Sequence, residues 1–415
     1  MKAELIIGAV QGVTKKWAKQ RKKEERDAAA AMNRWDALTR RRSVSIRDAA
    51  FDTMERAYLK ASANGTLPAH ARQIMYAARP YIQQRADRGL GQRFDQYFTQ
   101  QLLPEYIETF GQQSWNVVYD ARGNFTEPHT RLKVPLGTLQ VRNYLAGVRQ
   151  YKIKDPTFDV WEAGYPTLGP KHRFGAILFI EKEGFVPLFE AVRLAEQYDL
   201  AIMSTKGMSV TAARELVDEL CAEHAIPLLV LHDFDKAGFS IAGTLRRSTR
   251  RYRFGHDHAA NVIDLGLRLD DVSGLETEDV YVDSPEKAKQ NLRENGATEE
   301  EIDFLVDQAQ RVELNAFASD QFVEWIERKL GEQGVAKVTP DRDVLSAAYV
   351  RMRRQAAVQA RINEVLDELD DEQAEPPPIP DDLTKRLNKL MGRDRAQRWD
   401  ACLRKIAEED HKAAP

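Results

Sequence analysis

The chain has little cysteine and no cluster of histidines. Among its 415 residues there are two cysteines, Cys221 and Cys402, and eight histidines that are scattered along the chain. Two thiols cannot build the disulfide framework of a small secreted domain or the four-ligand site of structural zinc. Long apolar runs are also missing, since residues 5–11 are too short and too interrupted for a signal peptide or a membrane helix. We therefore expect a folded cytoplasmic protein with no membrane partner.

Neither sign of charge is in excess. The 61 Lys and Arg residues nearly balance the 64 Asp and Glu residues, which leaves a net charge of −3. The field of the whole molecule therefore does not indicate a nucleic-acid partner, but a local patch matters more than the sum. The start of the chain is basic, whereas residues 364–382 are rich in acids and contain no Lys or Arg. The basic stretch is either a solvated helix face or an arm that contacts phosphates.

A chain of this length suggests two or three domains. The pattern divides it into a basic helical arm at residues 1–43, helices with a hairpin at residues 44–150, an α/β domain at residues 151–335 and a helical extension at residues 336–415. The extension has helical periodicity at residues 341–369, a proline-rich spacer at residues 376–380 and a last helix at residues 383–409. This last helix either docks a partner or packs on the body. The predicted fold class is α/β plus α.

Residues 44–150 have the order of a small DNA-binding domain. Helices are predicted at residues 46–61, 69–84 and 94–108, with Pro104 dividing the third. A hairpin follows, with strands at residues 115–119 and 124–126 around a turn that ends at Gly123. Helices followed by a hairpin are typical of a winged helix-turn-helix domain, which places one helix in the major groove of DNA, although other small α+β domains share this order.

The second of these helices carries Arg72 and Tyr76, one turn apart and on one face. A tyrosine hydroxyl is a poor nucleophile unless a neighbouring cation stabilises the phenolate, and Arg72 is placed to do so. Tyr76 is therefore a candidate nucleophile, and the alternative is an ordinary core tyrosine. Tyr81 is the nearest rival, but Pro80 disturbs its position in the helix.

Two apolar strands of the α/β domain end on carboxylates. Residues 174–180 lead to Glu181, and residues 226–232 lead to Asp233 and Asp235. Between them the pattern predicts a helix at residues 186–197, a strand at 200–203 and a helix at 210–223. Open α/β sheets carry their chemistry at the carboxyl ends of the strands. Carboxylate oxygens suit Mg²⁺, so the three acids are candidate ligands, with ordinary acidic loops as the alternative.

A basic stripe follows the acids along the chain. Four arginines fall on a helix predicted to start near residue 240 and are candidate contacts to DNA phosphates: Arg246, Arg247, Arg250 and Arg251. The alternative is a solvated helix whose arginines pair with nearby acids. Glu313 lies further along, and spacing alone does not place it near the predicted metal site.

These motifs resemble a known family. Ile180-Glu-Lys-Glu183, Ser204-Thr-Lys-Gly207 and the segment from His232 to Ile241 are similar to the Toprim domain in the A subunit of DNA topoisomerase VI and in the related meiotic double-strand-break enzymes. In that family an Arg-x-Ile-x-Tyr segment lies in an upstream winged-helix domain, and Arg72 to Tyr76 matches its spacing. The likeness covers about residues 45–330. It implies that Tyr76 is the nucleophile, that Arg72 is its activator or a phosphate clamp, and that Glu181, Asp233 and Asp235 hold Mg²⁺.

The resemblance also implies partners. The substrate would be double-stranded DNA, cut by tyrosine attack on a backbone phosphorus, and a homodimer would build each site from two protomers. Gly89-Leu-Gly91 and Lys206-Gly207 lack the spacing of a phosphate-binding loop, so ATP hydrolysis would require a separate ATPase subunit of the GHKL type.

The sequence departs from the family pattern at two positions. Met75 stands where the family commonly has an aromatic residue, and Glu183 stands where it often has aspartate. Two alternatives therefore stay open. One is a Toprim nuclease that hydrolyses DNA without a tyrosine adduct, beside an SMC-like ATPase in defence or chromosome maintenance, and the other is a non-catalytic DNA-binding structural subunit.

Overall fold

A computed structural model describes most of the chain. The described residues are 19–24, 26–27, 30, 44–91, 93–112, 114–120, 123–128, 130–152, 160, 172–205, 211–248, 253–255, 261–372, 379–394 and 396–413. The chain divides into two compact units, one of residues 1–60 with 74–114 and one of residues 61–73 with 115–415. The basic arm predicted at residues 1–43 falls almost entirely outside the described residues.

The first unit is helical, as predicted. Its helices are α1 (Ile46–Ala61), the greater part of α2 (Ala71–Arg85), α3 (Phe94–Tyr97) and α4 (Leu103–Phe110), and a π-helical segment, Phe98–Leu102, joins the last two. Pro104 lies in the first turn of α4, where the missing N–H costs little. The rings of Tyr106 and Phe110 pack against Phe51, and the Arg47 guanidinium lies over that ring while it bonds Glu105.

A hairpin is present in this region, but its two strands are not the two that the sequence predicted. Strand β2 (Val117–Val118) pairs in parallel with β1 (Ala69–His70), whereas β3 (Asn124–Thr126) pairs with β4 (Lys133–Pro135) in the antiparallel hairpin. The prediction that residues 115–119 pair with residues 124–126 is therefore wrong. The reason is burial, because β2 is fully buried and β3 is fully exposed, so the two do not share a sheet face. Helix α5 (Thr138–Gln150) follows the hairpin.

A four-stranded parallel sheet forms the centre of the second unit. Its strands are β5 (Ala176–Ile180), β6 (Leu200–Ser204), β7 (Leu228–Leu231) and β8 (Val262–Gly266), in the order β6-β5-β7-β8. The two central strands are continuous apolar runs and are fully buried, which is the pattern of a parallel sheet covered on both faces. The predicted α/β domain is therefore confirmed as a parallel-sheet fold.

Helices cover both faces of this sheet. They are α6 (Val186–Ala191), α7 (Leu194–Tyr198), α8 (Thr211–Val217), α9 (Lys236–Arg246), α10 (Pro285–Glu294), α11 (Glu299–Ile302) and α12 (Ser319–Glu332). Alternate strand residues face opposite layers: Leu178 packs with Phe189 and Phe322, and Phe179 packs with Val217. The short strands β9 (Glu278–Asp279) and β10 (Gln310–Arg311) pair with each other outside the main sheet.

Two predicted helices are interrupted. The helix predicted at residues 186–197 breaks between α6 and α7, because Arg193 adopts a left-handed backbone with φ of 53°. The helix predicted at residues 210–223 is α-helical only to Val217 and then widens into a π-helical segment, Asp218–Glu223.

The C-terminal extension is three helices rather than two. They are α13 (Arg342–Glu372), α14 (Leu383–Arg393) and α15 (Trp399–Ala413). The prediction of one helix at residues 383–409 is therefore wrong. The chain turns back between α14 and α15, and Arg386 donates hydrogen bonds to both Asp410 oxygens, while Cys402 and Ile406 are buried. None of the described helices is both long and apolar enough to cross a bilayer.

Candidate functional site

Two neighbouring strands deliver the predicted carboxylates to one edge of the sheet. Glu181 directly follows β5, and Asp233 and Asp235 follow β7. The two strands pair in parallel, with Ile180 opposite Leu231, so their carboxyl ends lie side by side. The structure therefore brings the three predicted acids to the same end of the sheet.

Two of the three predicted acids have raised pKa values. Burial, followed by the negative charge of Asp233, raises the pKa of Glu181 above its ordinary value. Burial and the same Asp233 charge also raise the pKa of Asp235. Like charges at one edge of a sheet repel one another unless a cation offsets them. The strand ends are therefore electrostatically suited to a cation.

A lysine of this chain supplies positive charge at the site. Lys182 Nζ lies 2.7 Å from Asp233 Oδ2 and 3.0 Å from Glu313 Oε2. Burial alone would lower the pKa of this ammonium, but the two carboxylates hold its pKa above the ordinary value. Lys182 thus remains charged and links a carboxylate from the sheet to one from a distant segment.

Glu313 is the site residue that sequence reasoning did not place. Phe234 and Val312 exchange backbone hydrogen bonds of 2.8 and 3.1 Å, which lays the segment after β10 alongside the segment after β7. Leu314 N then donates to Asp233 Oδ1 at 2.8 Å. The available sequence signal is the pair of apolar residues that flanks Glu313. Such a pair indicates a buried extended segment that carries one charge, but it does not identify the partner of Glu313.

Arg72 joins the same acidic group. Its Nη1 lies 3.0 and 3.3 Å from the two Glu313 oxygens. Burial would raise the pKa of Glu313, but Lys182 and Arg72 lower it to about 2. Gln73 also donates to the Phe317 carbonyl and Ser319 donates to the Pro68 carbonyl, so residues at and just before the start of α2 are bonded to residues at and just before the start of α12. The predicted arginine is therefore anchored beside the Lys182 and Asp233 pair.

The predicted nucleophile follows Arg72 on the same helix. Tyr76 lies one turn after Arg72 in α2, and only 3% of its surface is exposed. The rival Tyr81 is partly exposed, with the guanidinium groups of Arg56 and Arg85 over its ring. Pro80 is accommodated inside the helix.

Asp235 has a structural partner at the start of α9. It is the N-cap of this helix, and its Oδ1 accepts a hydrogen bond of 2.7 Å from Gly238 N. This contact fixes the orientation of the carboxylate and satisfies one orphan N–H of the helix. One carboxylate oxygen is thereby committed to the cap.

Gly238 is required by close packing at this turn. A Cβ on Gly238 would lie 2.2 Å from the Asp233 carbonyl oxygen and 2.5 Å from His232 Nδ1. Both groups are buried and fixed, so Gly238→Ala is expected to destabilise the fold by about 2 kcal/mol. Urea unfolding measures the change. Gly331→Ala is the control, because the added Cβ meets nothing within 4 Å in α12 and should stabilise by about 0.5–1 kcal/mol. Equal stability of wild type and Gly238→Ala would contradict the packing.

A buried ion pair supports the strand that carries the aspartates. His232 Nε2 lies 2.9 Å from Asp264 Oδ1, and Arg268 Nη1 lies 3.1 Å from Asp264 Oδ2. Burial opposes ionisation of Asp264, but the bond and charge of His232 lower its pKa from 3.8 to about 2. The pair ties β7 to β8 directly beneath the acidic cluster.

The Asp264 pair should make stability sensitive to acid. Because the folded pKa lies below the unfolded one, its contribution is present above about pH 4 and is lost as the pH falls towards 2. Asp264→Asn is expected to lower stability at pH 7 by about 2 kcal/mol, and the difference from wild type should shrink below pH 4. Urea unfolding at pH 7, 5 and 3 measures this. Asp270→Asn, at an exposed position nearby, is the control for the substitution itself, and a constant deficit in Asp264→Asn would refute the assignment.

The predicted basic stripe is partly tied to the fold. Helix α9 ends at Arg246, so Arg247 lies beyond its end. Arg246 Nε donates to the Val262 carbonyl, and Arg247 donates to the Glu294 carbonyl and to Asn295 Oδ1. Arg250 and Arg251 lie outside the described residues, and contact of these arginines with DNA stays a prediction.

The acids fit Mg²⁺ by chemistry. Their donors are carboxylate oxygens, the ligands Mg²⁺ prefers, and their mutual repulsion is relieved by a divalent cation. In the described part of the chain, however, no three His, Cys, Asp or Glu side chains converge closely enough to hold an ion together. The Glu181, Asp233 and Asp235 ligand set therefore stays a prediction.

A comparison with protein families agrees with this geometry. Residues 176–330 match the family model that describes the Toprim domain of the topoisomerase 6 A subunit/Spo11 proteins. The match spans the whole parallel sheet, the acidic strand ends and Glu313. No curated protein matches the chain as a relative. Residues 176–330 therefore match the Toprim domain of the topoisomerase VI A/Spo11 family, which confirms the resemblance that the sequence motifs indicated.

Proposed function

We propose that this protein is a DNA double-strand cleavage subunit that forms a tyrosyl-phosphodiester intermediate. The observation that carries the proposal is the cluster of Glu181, Asp233, Lys182, Glu313 and Arg72 at the carboxyl end of a Toprim sheet. Alternating acids and cations at one strand edge suit a phosphodiester, because the cations offset its charge and the acids can hold a divalent ion.

The chemistry assigns a role to each group. The Tyr76 oxygen would form a bond to a backbone phosphorus. The bond from phosphorus to the leaving sugar oxygen would break, and the sugar oxygen would take up a proton. Arg72, fixed by Glu313, would bind the phosphate. Glu181, Asp233 and Asp235 would hold Mg²⁺, which would supply charge neutralisation at the phosphate. Because no water enters, the cut is reversible.

The proposal includes partners. Residues 44–150 would serve as a winged-helix domain that binds double-stranded DNA, with the arginines after α9 as further phosphate contacts. A homodimer would pair two sites to cut both strands, and a separate GHKL-type ATPase would drive strand passage. The setting would be cytoplasmic.

The direct test is capture of protein on cut DNA. Supercoiled plasmid is incubated with the full chain and Mg²⁺, stopped with detergent, and analysed for linear ends that carry protein. Covalent protein on the ends supports the proposal. Salt titration of duplex binding provides a second measurement, because phosphate contacts make affinity fall steeply with salt. A chain that binds duplex DNA but does not cut it, even with its ATPase partner, would favour a non-catalytic DNA-binding structural subunit.

The burial of Tyr76 favours one second candidate. With 3% of its surface exposed, this side chain has the environment of a core residue. A Toprim nuclease would instead use water at the same acidic edge, leave free ends, and work beside an SMC-like ATPase. Cut plasmid without attached protein would support this hydrolase and contradict the proposed tyrosyl-phosphodiester intermediate.

A further inference from the structure

A cleft opens beside the acidic edge of the sheet. Its volume is about 620 Å³, and it extends from Asp235 and α9 to the segment before α10. Residues from three parts of the second unit line it, namely the start of α9, residues 280–292 and residues 305–311. This volume falls within the range of pockets that hold small organic ligands. Asp235 is the one residue of its lining that has a role in the proposal above.

The floor of the cleft is apolar and its rim is charged. Val282, Ala288, Leu292, Leu305 and Val306 line it, and all are buried or half-buried. Apolar side chains in a preformed pocket suit a flat, poorly hydrated group. Tyr281 also lines the cleft with 88% of its surface exposed, so its ring is open to stacking from solvent.

The cations of the rim lie close to the predicted scissile site. Lys236, Lys287 and Arg311 line the cleft, and Lys236 directly follows Asp235. Arg311 also bonds Glu278, so the two exposed lysines carry most of the positive charge. Asp235 and Asp283 are the opposing acids, and one oxygen of Asp235 accepts the α9 cap bond from Gly238. An anionic ligand with an aromatic body matches this arrangement.

We infer that this cleft binds a nucleotide, with the base on the apolar floor against Tyr281 and the phosphate between Lys236 and Lys287. Stacking of a base on an exposed aromatic ring beside cations is the common mode of single-strand recognition. Because the cleft adjoins Asp235, the source favoured is a nucleotide displaced from the DNA next to the cut. The choice of DNA as the source rests on the proposed function. A free mononucleotide has the same chemistry and does not depend on that function.

The test compares two labelled duplexes that differ by one unpaired nucleotide. Binding of the full chain is followed by fluorescence anisotropy in EDTA, so that no cutting occurs. Wild type should bind the duplex with the unpaired nucleotide about tenfold more tightly, and Tyr281→Ala should remove this preference while keeping affinity for the paired duplex. Lys287→Met should weaken it as well. Tyr349→Ala is the matched control, because Tyr349 is also exposed and does not line the cleft.

Calorimetry with dAMP distinguishes the sources. Saturable dAMP binding that Tyr281→Ala abolishes, without any preference between duplexes, supports a free mononucleotide as the ligand. Equal binding of both duplexes by wild type together with no dAMP binding overturns the inference, as does an unchanged preference in Tyr281→Ala. These outcomes are separate from the plasmid assay. Protein-linked ends with no duplex preference would support the proposed function and contradict only nucleotide binding in the cleft.

Discussion

Replacing Tyr76 with phenylalanine should abolish capture of protein on cut DNA ends. The substitution removes the only atom that can attack phosphorus from this side chain and leaves the ring volume unchanged. The side chain is buried, so losing the hydroxyl costs about 1 kcal/mol and the variant should remain folded. Plasmid cleavage with a detergent stop, and circular dichroism of the same sample, measure activity and folding together.

Two tyrosines of the first unit serve as controls. Tyr81→Phe tests the rival nucleophile, and Tyr58→Phe tests loss of a hydroxyl from an equally buried site. Both should retain protein-linked ends. Adducts that persist in Tyr76→Phe and vanish in Tyr81→Phe would move the nucleophile to Tyr81. Cutting that is unchanged in all three, with free ends, would assign the chemistry to water.

Replacing Lys182 with methionine should destabilise the second unit by about 3 kcal/mol. Its ammonium bridges Asp233 and Glu313, and its removal leaves two buried carboxylates facing each other with less compensation. Arg72 still bonds Glu313, which limits the loss. Urea unfolding measures the effect. Millimolar Mg²⁺ should restore part of the lost stability, because a divalent cation can replace the missing charge between the acids.

Lys329→Met is the matched control for this prediction. Lys329 Nζ lies 2.9 Å from the buried Asp271 Oδ1, and its side chain is exposed to nearly the same extent as that of Lys182. This variant should lose stability, but Mg²⁺ should not restore it. Equal stability of Lys182→Met and wild type would contradict the bridge. A loss that Mg²⁺ leaves unchanged would contradict a cation site at the strand ends.

The sequence predicted the sheet and the ends of its central strands well. Continuous apolar runs before Glu181 and Asp233 admit little besides buried parallel strands, and the carboxyl ends of such neighbours must meet. Helix α1 was predicted with its observed bounds for a similar reason, because its apolar spacing is regular and Asn64-Gly65 provides a turn signal after it.

Sequence patterns failed where partners are distant in the chain. The residues at 115–119 indicated a strand but not that β1, more than forty residues earlier, would pair with it. Glu313 lies 241 residues from Arg72 and 131 from Lys182, so local spacing could not place it. The break at Arg193 was equally hidden, because a non-glycine residue in the left-handed region has no strong local signal.

The Phe234–Val312 bridge has a consequence for the order in which the molecule is made. The hydrogen bond from Leu314 N to Asp233 and the ion pair between Lys182 and Glu313 can form only after the ribosome has released the chain beyond residue 314. A nascent or truncated chain that stops earlier would already contain Tyr76 and all three predicted ligands, yet Arg72 would lack its hydrogen bonds to Glu313. Maturation of the centre therefore waits for nearly the whole Toprim segment to be translated.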